Sequence, residues 1–187
     1  MQSIHDCVLA GRYLVIFEYP LTVDKKWLLL GYSFLECVQW APEKYNTLIH
    51  IFDKDTLKKV TQLEAPPLFN YHFSNGYCNG EEEIVLQYCA YPTDRVQDLF
   101  NDLARVPKLA VDPKTEFKCA IIGYFEEMKI DLPSKKITTD RNMNYAVEFP
   151  VVSDRLVGKN WRYTHAVISE DPKNPNSFFN GVCRYDR

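Results

Sequence analysis

The sequence predicts an all-β fold that carries one short helix. Short runs rich in β-branched and aromatic residues recur along the chain, and such residues favour strands. Tight-turn signals such as Asn79-Gly80 stand between several of these runs. A single stretch, Asp94 to Arg105, instead spaces its apolar residues as on one face of a helix.

Each predicted strand is a short run bounded by polar or turn-forming residues. Many short strands joined by turns are typical of a sandwich, a barrel or a propeller, and periodicity does not choose among them. The chain has no Pro/Gly/Ser-rich linker, so we predict no internal domain boundary. The predicted strands are Tyr13 to Tyr19, Thr47 to Asp53, Lys58 to Leu63, Glu83 to Tyr91, Lys118 to Leu132, Tyr145 to Phe149, Tyr163 to Ser169 and Phe178 to Tyr185. The turn signals between them are Asp53-Lys54-Asp55, Asn79-Gly80, Asp112-Pro113 and Asp171 to Pro175.

The predicted helix over residues 94–105 rests on four apolar residues at helical spacing. Thr93 or Asp94 could cap its first turn, because a short polar side chain there can accept a hydrogen bond from a free backbone amide. The four apolar residues are Val96, Leu99, Phe100 and Leu103.

The composition is that of a globular protein and argues against nucleic acid as a partner. Apolar residues make up 46% and charged residues 25% of the sequence, and the net charge is −3 with no basic cluster. Nucleic acid is therefore excluded as a partner, since nothing would neutralise a row of phosphates. The longest apolar run, Trp27 to Val38, is too short for a transmembrane helix. We expect it to pack in the interior, with contact to lipid or substrate as the alternative.

The first residues and the cysteines both indicate an intracellular protein. Residues 1–12 contain no basic segment followed by an apolar one, so we predict no secretory signal. We therefore expect a cytoplasmic location. The six cysteines lie far apart without a C-x-x-C motif, which argues against a zinc site and a disulfide framework. We expect buried thiols at Cys7, Cys37, Cys78, Cys89, Cys119 and Cys183.

Four histidines are the candidate metal ligands, but none forms a local metal-binding motif. His5 precedes a strand, and His72 lies in an aromatic stretch. On residue type alone, a structural histidine is the commoner interpretation at both positions. His50 and His165 alternate with apolar neighbours on predicted strands, which favours packed or surface-facing strand residues.

Four ordered blocks of sequence link His5 and His72 to a known family. They are IHDCVLAGRYLVIFEYPL from Ile4, LLLGYSFLECVQWAPEKYNTLIHIFDKDTL from Leu28, FNYHFSNGYCNGEEEIVLQYCAYP from Phe69 and AVEFPVVSDRLVGKNWRYTHAV from Ala146. Their order and spacing resemble those of the carotenoid cleavage oxygenases over nearly the whole chain. The relatives in this family include lignostilbene dioxygenases and the retinal pigment epithelium isomerase.

The resemblance implies a seven-bladed β-propeller with a non-haem Fe(II), held on the axis by four histidines. His5 matches the second ligand and His72 the third. Glu148 matches a carboxylate that accepts a hydrogen bond from a ligand imidazole, that of His72. The first and fourth ligands are expected upstream of residue 1 and downstream of residue 187. Residues 1–187 are therefore expected to form the middle blades of a single propeller domain, truncated at both ends.

The same resemblance implies an enzyme that cleaves a carbon–carbon double bond of a carotenoid or apocarotenoid with O2. The isolated segment, which lacks two ligands, is expected to be inactive. Phe69, Tyr71 and Phe73 could line a tunnel for the hydrophobic polyene, although such aromatic residues are often core. Membrane contact is expected to be peripheral and to come from outside the segment. The alternatives are a stilbene-cleaving oxygenase, a retinoid isomerase, and a non-catalytic propeller that binds lipid or protein.

Overall fold

The computed structural model describes residues 3–107, 123–169 and 179–187. Antiparallel strands dominate this part of the chain, and three short α-helices and a 3-10 turn, Asp154–Leu156, lie between them. The elements are β1 (Cys7–Ala10), β2 (Tyr13–Glu18), β3 (Leu21–Val23), α1 (Lys25–Leu29), α2 (Phe34–Cys37), β4 (Val38–Trp40), β5 (Thr47–Asp53), β6 (Lys59–Ala65), β7 (Asn70–Asn79), β8 (Glu83–Ala90), α3 (Val96–Leu103), β9 (Gly123–Asp131), β10 (Lys136–Val151), β11 (Tyr163–Ser169) and β12 (Gly181–Asp186).

The strands form successive antiparallel units of the kind that build a propeller blade. The first unit has the order β1-β2-β5-β6, and β3 pairs with β4 beside it. The second sheet has the order β12-β11-β10-β9-β8-β7. In it, Lys136 to Asn142 of β10 pairs with β9, whereas Ala146 to Val151 pairs with β11 and keeps only the Val147–Gly123 pair with β9. One strand therefore closes the second blade and opens the third.

Alternating apolar residues explain why these strands pack as they do. In β2, Tyr13, Val15 and Phe17 point into the core while the residues between them are half-buried, as a strand covered on one face requires. Strand β8 is buried along almost its whole length, because neighbours cover both of its faces. The large side chains of the core are Phe17, Tyr19, Ile49, Ile51, Phe69, Ile84, Leu86, Tyr88, Leu99, Met128 and Ile130.

The inner strands of adjacent units approach closely, and a glycine makes this approach sterically feasible. A Cβ added to Gly76 of β7 would lie 2.9 Å from the backbone oxygen of Leu9 in β1. The Cys78 thiol donates a hydrogen bond to the carbonyl of Ala10 at 3.0 Å, farther along the same contact. These two contacts dock β1 against β7.

The predicted strands are confirmed where the apolar pattern is regular. Strands β5 and β11 have the predicted bounds, and β2 ends one residue early. Strands β6 and β8 differ from the prediction by one or two residues at an end, β9 begins within the predicted run, and β12 spans Gly181–Asp186. Residues 118–122 and 178, and the turn signals at 112–113 and 171–175, lie outside the described residues. Strand β1 follows His5, where a strand was expected without stated bounds, whereas β3, β4, β7 and the first half of β10 were not predicted.

Helix α3 confirms the predicted spacing and corrects the predicted cap. Val96, Leu99 and Phe100 are buried, as one apolar face requires. The helix begins after Arg95, and no side chain caps it, so the capping role predicted for Thr93 or Asp94 is wrong. The helix gains its stability from packing, because its apolar face fits into the core.

The apolar run from Trp27 to Val38 does not pack in the interior as expected. It forms α1 and α2, which Asp24 and Ser33 cap, and most of its large side chains remain exposed. Leu29 is 88% and Leu30 76% exposed, so these helices present an apolar surface. We call it the helical patch, and it consists of Trp27, Leu28, Leu29, Leu30, Tyr32 and Phe34.

The cysteines are free thiols in the part of the chain that the structure describes. Cys37 and Cys89 are buried, as expected, and Cys78 and Cys183 are half-buried. The expectation of a buried thiol is wrong for Cys7, which is exposed. Its side chain lies on the exposed face of the short strand β1. Cys119 lies outside the described residues.

The segment is expected to aggregate when residues 1–187 are produced alone. Among the described strands, β6 pairs on one side with β5, and β12 pairs on one side with β11. Val60 on β6 and Val182 on β12 are exposed, and such edges favour pairing between chains. Size-exclusion chromatography and thermal melting would test this expectation. A monomer that melts cooperatively would contradict it.

Candidate metal centre

The candidate site lies where inner strands of neighbouring units meet. Strand β7 packs against β1 on one side and against the second half of β10 on the other. His5 lies just before β1, His72 lies in β7 and Glu148 lies in β10. Topology therefore brings together three residues that are far apart in the sequence.

The rings of His5 and His72 lie next to each other. Their centroids are 5.6 Å apart and their planes are inclined by 81°. The Nδ1 atom of His5 donates to the carbonyl of Tyr71 at 2.8 Å, and Nδ1 of His72 donates to Glu148 Oε2 at 2.7 Å. Both acceptors place the proton on Nδ1, which leaves the Nε2 lone pair of each ring available to a ligand. Within the described residues, neither Nε2 atom makes a hydrogen bond.

Irregular pairing in β7 orients the side chain of His72. The register of β7 against β8 shifts on both sides of Phe73, and the usual alternation of buried and exposed residues is lost there. A bulge adds a residue to one strand and turns the local side chains, which is a frequent feature beside active sites. The shifts leave His72 half-buried at the inner edge, while Phe73 enters the core.

Glu148 is held rigidly beside His72. Its Oε2 atom accepts a second hydrogen bond from the amide of Phe149 at 2.8 Å. Phe149 has a φ of 50°, which an L residue with a large side chain rarely adopts, and β10 is irregular between Glu148 and Val151. The Phe149 ring lies 5.0 Å from the His72 ring. Backbone strain at this position therefore places both a carboxylate and an aromatic ring against one imidazole.

Burial determines the charges and pKa values of the pair formed by His72 and Glu148. The Glu148 side chain is 2% exposed, and His72 is its ion-pair partner among the described residues. The hydrogen bond to this carboxylate raises the pKa of His72 above its ordinary value, against the opposing effect of burial. Burial and the nearby Glu148 charge also raise the pKa of Tyr91 well above its usual range. A buried carboxylate of this kind needs a positive partner, which a protonated or metal-bound imidazole supplies.

The two imidazoles fit one half of a metal centre. An imidazole nitrogen lies about 2.1 Å from a divalent metal, so the ring centroids of two ligands on one ion lie up to roughly 6.5 Å apart. The observed separation of 5.6 Å is compatible with one shared ion. The described residues contain no cluster of three or more His, Cys, Asp or Glu side chains that could hold a metal by itself. Further ligands would have to come from elsewhere in the protein.

An apolar cavity of about 200 Å³ extends from His5 to the helical patch. Phe69 and Tyr71, two of the predicted tunnel residues, lie on its wall. Phe73 does not, because its ring packs against Phe17 and Tyr88 in the core. The rest of the lining consists of Ser3, Leu21, Val23, Phe34, Leu35, Val38 and Phe100.

Among the described residues, the other two histidines contact neither His5 nor His72. His50 pairs with Glu18 at 2.7 Å between β5 and β2, and His165 is exposed on β11. Sequence reasoning missed Phe149, whose contact with His72 depends on a backbone bend that no residue pattern signals. It also gave no role to Asp6, although the adjacent His5-Asp6 pair was a visible signal.

The chain is similar to known proteins over its whole length. The chain matches the family described as retinal pigment epithelial membrane protein over residues 1–187. It is 30% identical over 92 residues to carotenoid cleavage dioxygenase 8 homolog A, chloroplastic, of Oryza sativa subsp. japonica, which covers 46% of this chain and 16% of the relative.

Solved structures show the same fold. Cobalt-substituted ACO of Synechocystis superposes with a TM-score of 0.77 at 20% identity, over 100% of this chain and 36% of that one. A chimera of ACO and RPE65 gives 0.76 at 19% identity, with the same coverage. The chain thus spans about a third of the length of these structures. These ACO and RPE65 neighbours are seven-bladed propellers, and the chain has the fold of a portion of one.

No helix in the described part of the chain is long and apolar enough to cross a membrane. The match over all 187 residues, the related dioxygenase and the shared fold lead to one conclusion. The chain belongs to the carotenoid cleavage oxygenase family, that of the retinal pigment epithelial membrane protein.

Proposed function

We propose that the intact protein is a non-haem Fe(II) dioxygenase that cleaves a carbon–carbon double bond of a carotenoid or apocarotenoid. The observation that carries the proposal is the pair of imidazoles, His5 and His72, whose Nδ1 atoms are bound and whose Nε2 atoms are available. Both atoms of O2 enter the products, one in each of two carbonyl groups. An Fe(II) ion held by imidazoles supplies a redox-active centre with open positions for O2.

The residues of this chain would bind and orient rather than transfer protons. His5 and His72 would supply two of four imidazole ligands, with the others from outside the segment. Glu148 keeps the His72 proton on Nδ1 and fixes the plane of the ring. The cavity beside His5 would hold part of the polyene in an apolar environment and exclude water. Its volume of about 200 Å³ is below that of a whole ligand pocket, so it would receive one end of the substrate.

The full-length protein tests this proposal. Purified protein is expected to bind one Fe(II) and to convert a carotenoid or apocarotenoid into two carbonyl products under O2. A hydroxystilbene and a retinyl ester, assayed in parallel, would separate cleavage of polyenes from stilbene cleavage and retinoid isomerisation. An iron-containing protein that leaves all of the polyenes intact would contradict the proposal. A protein without iron would favour a non-catalytic propeller that binds lipid or protein.

We also propose that the helical patch contacts a lipid surface. The patch is apolar and exposed, and two lysines, Lys25 and Lys26, lie at the start of α1, where they can face anionic headgroups. Phe34 belongs to the patch and also lines the cavity that leads to His5. A polyene dissolved in a bilayer could therefore enter from the patch without crossing water. The proposal differs from the expectation drawn from the sequence, in which membrane contact comes from parts outside the segment.

Replacing Leu29 and Leu30 together by glutamate is expected to lower vesicle binding by roughly tenfold, because it removes exposed apolar area and adds negative charge. Co-sedimentation of the full-length protein with phosphatidylcholine and phosphatidylserine vesicles would measure it. Leu57→Glu is the matched control, since Leu57 is 68% exposed in the turn between β5 and β6. Equal binding by the double variant and the control would contradict a lipid contact at the patch.

A further inference from the structure

The carboxylate of Asp6 joins the two segments that carry the candidate ligands. Its Oδ2 atom accepts a hydrogen bond from the backbone amide of Phe73 at 2.9 Å. Its Oδ1 atom accepts one from the amide of Cys7 at 2.7 Å. Asp6 follows His5, and Phe73 follows His72. One side chain therefore ties together the backbones of two adjacent blades directly beside both imidazoles.

The bond to Phe73 lies at the irregular point of β7. The register against β8 shifts between Asn70 and Phe73 and again between Phe73 and Asn75. A strand whose ladder is disturbed on both sides needs another interaction to fix its backbone. Asp6 provides such an interaction from the neighbouring blade, at the residue next to His72.

Other contacts hold the two blades together without Asp6. The Cys78 thiol bonds to the carbonyl of Ala10 at 3.0 Å, and Gly76 allows β7 to approach Leu9. The amide of Gly11 also donates to the carbonyl of Gly158 at 2.9 Å, and the amide of Gly158 in turn donates to Asn75 Oδ1 of β7 at 2.9 Å. Loss of the Asp6 carboxylate should therefore leave β1 docked on β7. Loss of the carboxylate would instead allow His5 and His72 to move relative to each other.

We infer that Asp6 is a positioning residue that sets the separation and relative orientation of the His5 and His72 imidazoles. This inference deepens the proposed function and rests on it, since the imidazoles matter together only if they share a metal. Asp6 would not touch the metal or the substrate. It would act through the two backbones, by keeping both Nε2 atoms directed at one point.

The test compares metal binding by full-length wild type, Asp6→Ala and Asp6→Asn. Cobalt is the probe, because its visible spectrum reports the coordination geometry. Asp6→Ala is expected to weaken cobalt binding by roughly tenfold or more and to alter the spectrum, as loss of support for metal ligands does. Asp6→Asn keeps one acceptor oxygen and is expected to recover most of the affinity. Hydrogen exchange at the Phe73 amide should become faster in Asp6→Ala.

Asp131→Ala is the matched control. Like Asp6, Asp131 is half-buried and its carboxylate accepts a hydrogen bond from a backbone amide, that of Ser134 at 2.8 Å. Asp131 is the last residue of β9, and Ser134 lies in the turn that follows. This variant is expected to change the melting temperature and to leave cobalt binding unchanged. If Asp6→Ala lowers the melting temperature while the cobalt affinity and spectrum stay those of wild type, Asp6 is merely structural and the inference is wrong. A wild-type protein that binds no cobalt would instead overturn the metal site itself, and the positioning role with it.

Discussion

Replacing His72 by alanine in the full-length protein is expected to abolish double-bond cleavage, reduce bound iron to background and lower stability. Iron binding is lost because the site needs its full set of imidazoles. Stability falls by about 3–5 kcal/mol if the Glu148 carboxylate stays charged, since it is left buried without its partner. Iron content, product formation and thermal melting would measure the three effects.

His5→Ala is the informative companion to this variant. His5 is exposed, and its hydrogen bond goes to the backbone of Tyr71 rather than to a buried charge. It is therefore expected to lose iron and activity with little change in melting temperature. His165→Ala is the control, because His165 is exposed on β11 and, among the described residues, makes no hydrogen bond or ring contact with His5, His72 or Glu148. Iron retention by His72→Ala at the level of the His165→Ala protein would contradict the assignment of His72 as a ligand.

Replacing Glu148 by glutamine is expected to weaken iron binding by about 10- to 100-fold and to leave the fold intact. The amide oxygen can still accept the hydrogen bond from His72, but the negative charge that makes the imidazole a stronger ligand is gone. Removing this buried charge, whose ion-pair partner among the described residues is His72, also reduces the desolvation penalty. The melting temperature should thus stay level or rise. Isothermal titration with Fe(II) under anaerobic conditions, alongside thermal melting, would measure both.

The chain contains a matched control for this variant. Glu18 and His50 form a second carboxylate–imidazole pair, with the same 2.7 Å separation, between β2 and β5. Glu18→Gln changes the same chemistry at a distance from the candidate site and is expected to leave iron affinity unaltered. Equal iron affinities for Glu148→Gln and Glu18→Gln would show that the Glu148 charge does not support the metal.

The strands that sequence predicted well are those whose side chains alternate without interruption. In strands β5 and β11, apolar residues recur at every second position along the same face, so the two-residue period is visible in the sequence. Strand β7 was not predicted because two register shifts around Phe73 break the alternation. The first half of β10 was missed for another reason. Residues 136–145 are mostly polar and mostly exposed, as the outermost strand of a blade allows.

The helical patch shows where residue type misleads. A run of leucines and aromatic residues reads as core, because burial is the usual fate of such side chains. In the structure, Asp24 and Ser33 cap two short helices at the surface, and Leu29 and Leu30 face outward. A surface that serves contact with lipid has the same composition as a core, so composition alone does not separate them.

The candidate site could be predicted in part. Residue type alone favoured structural roles for His5 and His72, and the resemblance to a family joined them and added Glu148. The expected hydrogen bond between His72 and Glu148 is present. The separation of the two rings, the strained backbone at Phe149 and the link through Asp6 depend on how three inner strands converge. No pattern along the chain encodes such distances.

Strand β10 belongs to two blades, because its first half pairs with β9 and its second half with β11. This determines where the chain can be divided. A cut between Asn142 and Ala146 would break the one strand that the second and third blades share, and would put Glu148 and its partner His72 on different pieces. A cut at Pro66-Pro67, between β6 and β7, would leave both neighbouring sheets whole. Split reporters, inserted tags and permuted termini are therefore best placed at that proline pair.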